Sequence, residues 1–546
     1  MKRVALIQAP VWGTREPPLG VVQLAGCLKS RGIPVKSFDF NNYLYQNRSK
    51  NFDTSWAWEQ SYSWYDSEWV ENFFKDYYSV AAEFVDEIME FSPEILGFSV
   101  SASTFYASLR LAEILKNLKE DLIIVFGGPS FIDKDPVEEA FSRSPVDYII
   151  TGDGDAVFPL FVEAIEYDRD IKEISGLYYR DEKGEISHTG GYPIYEDLDK
   201  LPYMDFTDLR IEDYDDKVHL ALMSARGCVW NCSFCSTRAF DKGYRTMSAE
   251  RMHQEISWHR INHYDRHRKD NLGHVDFMDL ELNGRISRVV EFCELMIKYP
   301  PCEFLPKMRW VSNAIIHPGL TKEVLNLMAR AGCKKPIFGI ESGSQKVLNL
   351  MRKNYDVDTA IRVIREASQE GIEVTLNFMF GFPGETEEDF LETLDFIKTV
   401  GPYIERAYPS RTYCAVEQHS YLHANLEEFN VKTPVNHHLY WETVDGTNNY
   451  PIRLERCARF ENFCIENNIR VDRGVETTVA MDNYYNLGFY YDYKKDYSRA
   501  TEYFLMYLNE DPENDTILSR FREIIQLALP GLSDDLRQEA EKYKLE

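Results

Sequence analysis

Arg226-Gly227-Cys228-Val229-Trp230-Asn231-Cys232-Ser233-Phe234-Cys235 holds three cysteines in the spacing C-x3-C-x2-C. The run follows Val218-His219-Leu220-Ala221-Leu222-Met223, an apolar segment that reads as a strand. The cysteines therefore fall in a loop at a strand's C-terminal end, the rim on which barrel enzymes build their chemistry. Three thiolates this close, with no fourth nearby, suit a four-iron, four-sulfur (4Fe-4S) cluster with one iron left open to a substrate or cofactor; a fully ligated cluster mostly stores an electron. The expected metal ligands are Cys228, Cys232 and Cys235. A structural zinc site or three unrelated buried thiols are the plainer alternatives. Zinc usually takes four ligands in two close pairs, and no partner pair with that spacing follows downstream.

Working outward, a helix is expected from Ala249 to Arg260, then strands at Val275–Asp279, Met308–Asn313, Ile337–Ser342 and Val374–Gly381 with helices between them. A repeated strand-helix unit predicts a partial, TIM-like barrel over residues 216–410. The cysteine run resembles the cluster loop of the radical S-adenosylmethionine (SAM) superfamily, including the aromatic before the third cysteine, Phe234. The resemblance implies that the open iron chelates the amino and carboxylate groups of SAM, which one electron cleaves to a 5'-deoxyadenosyl radical. It places Glu341, Ser342 and Asn377 at strand ends beside the ribose, where carboxylate and amide groups suit two hydroxyls. Gly381-Phe382-Pro383-Gly384-Glu385-Thr386 resembles the family segment beside adenine. Asp279 and Glu281 stand where the family often carries acids after its second strand, although each could be an ordinary capping residue.

Before the barrel, residues 1–167 alternate short apolar strands (Val4–Ala9, Val35–Phe40, Ile95–Val100, Leu122–Phe126, Tyr148–Ile150) with helices at Leu19–Ser30 and Thr104–Leu118. This pattern predicts an α/β, doubly wound parallel sheet, Rossmann-like, with ligands at the C-terminal edge of its strands. That edge is rich in small residues: Ser99, Ser101, Ala102, Ser103 and Thr104; Gly127, Gly128, Pro129 and Ser130; Gly152, Asp153, Gly154 and Asp155. Small residues let a large ligand approach the backbone. Joined to a radical SAM core, the domain resembles the cobalamin-binding domain of cobalamin-dependent radical SAM enzymes, through Pro17-Pro18-Leu19-Gly20, Gly127-Gly128-Pro129 and the Gly-Asp-Gly-Asp loop at 152–155, whose acids the family usually writes as glutamates. The resemblance implies cobalamin with its tail in the three small-residue loops. No histidine precedes His188, so no lower histidine ligand to cobalt comes from this domain. A sheet serving only as scaffold is the alternative.

The bulk numbers narrow the partners. With 546 residues and 44% hydrophobic content the chain can fill two or three domains. A net charge of -28 repels nucleic acid and favours a small-molecule or peptide substrate. No apolar stretch is long enough for a membrane span, and the N-terminus lacks a signal-peptide core. Ten irregularly spaced cysteines and a cluster site point to the reducing cytoplasm. An external reductant such as flavodoxin or ferredoxin is implied.

The remaining segments stay open. The insertion between the second and third strands carries Trp56, Trp58, Trp64 and Trp69 with Tyr62, Tyr65, Phe73, Phe74, Tyr77 and Tyr78; it suits a cap over a bulky ligand or a pair of helices packed on the sheet. Residues 168–215 are expected as a linker with a hairpin at 176–186. His259, His263 and His267 read as a solvated helix face rather than a metal site. In the C-terminal region, 411–546, residues up to 480 look irregular, Cys414, Cys457 and Cys464 read as structural thiols, and 481–514 fit one tetratricopeptide-like hairpin. It serves either for packing or for partner binding. The expected function is methylation of an unactivated carbon through a 5'-deoxyadenosyl radical and methylcobalamin; alternatives are radical cyclisation, ring contraction or oxidation without methyl transfer, or a non-catalytic cobalamin or redox sensor.

Overall fold

The computed structural model describes residues 1–48, 55–56, 63–143, 145–215, 219–262, 273–301, 308–410, 414–474 and 477–543. Trp58, Tyr62, Val218, His263 and His267 lie outside the described residues. The chain divides into two compact units, the first made of 1–227, 239–312 and 330–332, the second of 228–238, 313–329 and 333–546.

In the first unit, β1 (Val4–Gln8), α1 (Leu19–Ser30), β2 (Val35–Asp39), α2 (Phe40–Gln46), α3 (Ser67–Asp76), α4 (Tyr78–Glu90), β3 (Ile95–Ser99), α5 (Phe105–Leu118), β4 (Ile123–Gly127), α6 (Lys134–Arg143), β5 (Tyr148–Ile150) and α7 (Gly154–Glu166) form the expected doubly wound domain. Its parallel strands run in the order β2-β1-β3-β4-β5, so the order reverses between β1 and β3, where such sheets open a ligand crevice. Strand alternation sends Ala5, Ile7, Leu96 and Phe98 into one core and Val4, Leu6 and Ile95 into another. This is why the strands read as unbroken apolar runs.

The aromatic insertion belongs to the first of these cores. Trp64 and Phe73 are fully buried, and Trp64 packs edge-on against Trp69 at 5.0 Å. The packed-helix alternative therefore holds for the described residues of the insertion, where Trp64 and Phe73 are buried rather than presented to a ligand.

Residues 168–215 do more than link. Their hairpin, β6 (Leu177–Arg180) and β7 (Ile186–His188), pairs antiparallel onto β5 and extends the sheet to seven strands. The following segment crosses α1, where a Cβ at Gly26 would stand 2.1 Å from the Tyr203 carbonyl. Farther on, the Tyr214 hydroxyl donates to Asp39 Oδ2 at 2.7 Å at the end of β2. A boundary at 167 thus cuts through one sheet.

The barrel's first strands, β8 (His219–Leu222), β9 (Ala225–Arg226) with its antiparallel partner β10 (Arg245–Thr246), β11 (His274–Phe277) and β12 (Arg309–Ala314), follow; β11 pairs parallel with both β8 and β12. The short α8 (Thr237–Phe240) lies just past the cysteines, and α9 (Ala249–Asn262) and α10 (Ile286–Lys298) intervene. His259 corrects the solvated-face expectation. It is fully buried on α9, its Nε2 3.2 Å from Glu255 Oε1, and Glu255 Oε1 also accepts from the Met204 backbone.

In the second unit, α11 (Lys322–Arg330) precedes the parallel strands β13 (Cys333–Glu341), β14 (Thr375–Phe378) and β15 (Arg406–Pro409), separated by α12 (Gln345–Leu350), α13 (Val357–Gln369) and α14 (Glu387–Val400). The stretch expected to be irregular contains α15 (Tyr421–Ala424) and a 17-residue helix, α16 (Tyr450–Glu466), started by the Asn449 cap and Pro451. Cys414, Cys457 and Cys464 are buried. Helices α17 (Val479–Tyr493) and α18 (Tyr497–Glu510) make the expected hairpin. A Cβ at Gly488 would meet the Phe504 ring at 2.3 Å, so the helices touch closely. Next, α19 (Asp515–Ala528) adds Ile517, Phe521 and Ile524 to their core, and α20 (Asp534–Ala540) follows. Among the described residues no helix is long and apolar enough to cross a membrane.

Asp39 offers a test of the first unit. Burial raises its pKa from 3.8 to about 6, against the opposing hydrogen bonds from Asn42 and Tyr214. The folded state therefore holds the proton more tightly than the unfolded one. Its stabilising effect is complete below pH 3.8 and disappears as pH rises through about 6. Relative to Asp39→Asn, the natural protein should lose roughly 2–3 kcal/mol across that window, read as the difference between their denaturant-unfolding free energies at each pH.

Candidate functional site

The three-cysteine loop is shaped by its own unit. The Ser233 backbone N–H donates to the Met351 carbonyl (3.0 Å) and its hydroxyl to that of Leu350 (2.9 Å). Leu422 N in turn donates to the Ser233 carbonyl at 2.7 Å. Two sulfurs have polar neighbours: Trp230 N–H lies 3.4 Å from Cys228 Sγ, and Thr237 Oγ1 lies 3.0 Å from Cys235 Sγ. Burial raises the Cys232 pKa, with Lys353 opposing it. All three cysteines are half-exposed. Among the described residues no three His, Cys, Asp or Glu side chains converge on one point. An iron–sulfur cluster takes each thiolate on a different iron. The loop thus fits the cluster: three cysteines in one short loop, with an N–H at the Cys228 sulfur and a hydroxyl at that of Cys235.

Glu341 ends β13 in a bulge with φ of 69°. Its Oε1 accepts from Lys353 Nζ at 3.1 Å. The Phe234 ring packs beside the Val347–Met351 cluster. Ser342 is buried, its hydroxyl 3.2 Å from Thr393 Oγ1 and accepting from Ser344 N. Asn377 is half-buried on β14. Gly381 has a packing reason of its own: φ is +72°, and a Cβ would strike the buried Arg453 stem at 2.2 Å. Its N–H donates to Glu385 Oε2 at 2.7 Å, the same oxygen that Arg456 pairs with at 2.6 Å. In the first unit, Asp279 is buried, and its oxygens accept from Ser224 N, Ser224 Oγ and Ala225 N at 2.6, 2.5 and 2.9 Å, with Arg288 bonded to the same turn. Asp279 therefore braces the turn that leads into the cysteine loop.

At the switch point between β1 and β3 lies a cavity of about 140 Å³, lined by Gly20, Val21, Gly97, Ser99, Gly127 and Gly154 among others. Gly128, Gly152 and Asp155 also reach it, whereas Ser101, Ala102, Ser103, Thr104, Pro129, Ser130 and Asp153 do not line it. Ser101 and Thr104 cap each other's turn, and the Ser103 hydroxyl donates to the Val11 carbonyl at 2.8 Å. Gly128 is fixed by the backbone, with φ of +114° and the Val100 carbonyl 2.6 Å from any Cβ. Gly20, Gly127 and Gly154 are not so fixed. A Cβ there meets only ordinary contacts at 3.8, 3.7 and 3.5 Å, so the fold itself does not demand glycine and the open space is what their small size preserves. Ser130 Oγ is buried without a hydrogen-bond partner. Apolar walls bordered by small residues fit the tail of a large cofactor such as cobalamin.

The acids of the Gly-Asp-Gly-Asp loop have another task. Arg226, two residues before Cys228, donates Nη1 to Asp153 Oδ2 (2.9 Å) and Nη2 to Asp155 Oδ2 (2.6 Å); Arg245 adds a 2.5 Å bond to Asp153, and Tyr195 N another at 2.8 Å. All four charged side chains are nine-tenths buried. Burial favours the protonated form of Asp153, but Arg226 and Arg245 hold its pKa below the ordinary value. The quoted run already contained the signal: a charged residue at a strand end needs a partner, and two aspartates two residues apart can supply one. Lys353 gave no such signal, because more than a hundred residues separate it from the cysteine loop.

Residues 222–397 match the sequence profile of the Radical SAM superfamily. The segment is a radical SAM domain. The chain is 29% identical over 315 residues to an uncharacterized methyltransferase of Pyrococcus horikoshii, covering 57% of this chain and 65% of that one. It is 25% identical over 330 residues to the anaerobic magnesium-protoporphyrin IX monomethyl ester cyclase of Rubrivivax gelatinosus, covering 58% and 56%. The chain thus spans about three-fifths of the length of these curated relatives. Its fold is that of the cobalamin-dependent SAM radical enzyme OxsB, solved with aqua-cobalamin (TM-score 0.61, 16% identity, 100% of this chain and 84% of that one). It is shared also with the radical SAM methyltransferase TsrM of Kitasatospora setae, solved with tryptophan and a SAM analogue (TM-score 0.61, 16% identity, 88% and 92%).

The Arg226 network can be tested as a brace of this radical SAM domain. Arg226→Met leaves Asp155 buried without its guanidinium and Asp153 with Arg245 alone, and should cost roughly 3–5 kcal/mol. Adding Asp153→Asn and Asp155→Asn should recover part of the loss, read by denaturant unfolding. Arg210→Met, at an exposed pair, should change little.

Proposed function

We propose that the protein is a cobalamin-dependent radical SAM methyltransferase that acts on an unactivated carbon of a small molecule or peptide. The observation that carries this reading is the presence, in one chain, of a radical SAM domain and a sheet whose switch-point cavity is kept open by glycines its own packing does not require. Cys228, Cys232 and Cys235 would hold a 4Fe-4S cluster, and the cavity would take the cobalamin tail; together with SAM these groups would supply a 5'-deoxyadenosyl radical and a methyl donor. The chain's own residues position and exclude. Glu341, held by Lys353, offers a carboxylate to a ribose; Ser99 and the cavity glycines admit a flat group against the backbone. A net charge of -28 favours small molecules or peptides over nucleic acid. A flavodoxin or ferredoxin supplies electrons in a reducing cytoplasm.

The similarity to a cyclase supports a second reading in which the radical rearranges or oxidises the substrate without methyl transfer. Anaerobic reconstitution with iron, sulfide and hydroxocobalamin, followed by SAM and dithionite, tests both. Methyl transfer predicts 5'-deoxyadenosine together with S-adenosylhomocysteine, and a product one methylene heavier than its substrate. Deoxyadenosine without S-adenosylhomocysteine selects the second reading. Absence of both overturns the enzyme assignment. Replacing the three cysteines with alanine should abolish iron uptake and deoxyadenosine formation.

A further inference from the structure

Lys353 follows α12 in the turn that is hydrogen-bonded to the middle of the cysteine loop through Met351, Leu350 and Ser233. Its side chain is only 6% exposed. Two of its three N–H groups go to protein oxygens, Glu341 Oε1 at 3.1 Å and the Gly339 carbonyl at 3.0 Å. Its nitrogen stands 5.5 Å from the centre of the Phe234 ring and 5.7 Å from that of Trp230. Phe234 separates Cys232 from Cys235, and Trp230 separates Cys228 from Cys232, so the ammonium faces both halves of the loop. Tyr355 stacks on Trp230 at 5.7 Å and donates its hydroxyl to the Ile340 carbonyl, sealing that side.

A lysine stripped of water tends to lose its proton. Here that tendency is outweighed by Glu341 and by the sulfurs of Cys232 and Cys228, and the pKa lies above the ordinary lysine value. A salt bridge with Glu341 alone does not require this position, because the same pair could sit anywhere along β13. What the position adds is a cation against the loop that carries the three cysteines, in a pocket walled by two aromatic faces that favour positive charge.

We propose that Lys353 is the resident counter-cation of the cluster loop, a positioning residue whose fixed charge favours the more negative, reduced state of the cluster and so raises the potential at which it accepts an electron. The proposal rests on the radical SAM reading. The step is the one-electron reduction of a 4Fe-4S cluster from the 2+ to the 1+ state by an external flavodoxin- or ferredoxin-class donor, which is oxidised by one electron; no bond forms and the lysine gives up no proton. Cluster potentials respond to net local charge and to hydrogen bonds at the sulfurs.

The experiment is a redox titration of the reconstituted protein without SAM, followed by electron paramagnetic resonance of the reduced cluster. Lys353→Met keeps the apolar stem and removes the charge. Its midpoint should fall, so that a donor poised at the natural midpoint reduces several-fold less cluster, while Lys353→Arg stays near the natural value. Glu341→Gln leaves the ammonium unopposed and should move the midpoint upward. Full iron content with an unchanged or raised midpoint in Lys353→Met overturns the proposal. Should that variant fail to take up iron, Glu341→Gln decides, and an unchanged midpoint there overturns it. Failure of the natural protein itself to bind iron or give the reduced signal refutes the radical SAM reading instead.

Discussion

A guanidinium held between two buried carboxylates is the constraint on which the first unit turns. Burying an ion costs several kcal/mol, recovered only when geometry is close and every donor finds an acceptor. Arg226 pairs closely with both Asp153 and Asp155, and Arg245 shares Asp153. The elements that supply these charges come from different parts of the chain: the loop after β5, and the two-stranded β9–β10 ladder. Neither can shift without exposing an unpaired charge in a dry environment. The strand that leads into the cysteine loop is thereby anchored to the loop that borders the cavity of the α/β domain. Asp279 and Arg288 brace the same turn from the barrel side, so the approach to Cys228 is fixed by two independent polar networks.

Much of this was legible in the amino-acid order. The cysteine spacing names its chemistry because only a few metal centres accept three thiolates, and the five apolar runs name a parallel sheet because both of its faces are buried. Helix α1 begins and ends at the expected residues, with Pro18 before it and Gly32 after it. Element ends elsewhere moved by up to four residues, β13 starting at Cys333 rather than Ile337 and β14 ending at Phe378 rather than Gly381, as strands do when pairing rather than propensity decides where they stop. What order could not show was burial. The aromatic insertion, with its four tryptophans, is as compatible with a cap as with a core, and only packing against β2 and β3 distinguishes them. His259 carries the same ambiguity: charged neighbours in sequence say nothing about which side of a helix faces inward.

The candidate site shows the limit more sharply. The cysteines and the small-residue loops were found because their signals are local. The roles of Asp153, Asp155, Asp279 and Lys353 depend on partners distant in sequence. An acid in a glycine-rich loop suggests a ligand contact, yet these aspartates are committed to arginines, and Asp279 to a serine hydroxyl and two backbone amides. Residue type predicted polarity correctly at each position; the partner was a property of the folded chain alone.

Gly20, Gly127 and Gly154 border open space that neighbouring side chains do not claim. Folding and ligand capacity are therefore separable at these positions. A methyl group added there would pass unnoticed in any selection for stable protein, while subtracting room from the cavity. Chains built on this plan have a short mutational route to losing one ligand while keeping the whole architecture, and three alanines in place of glycines would be the only trace left in the sequence.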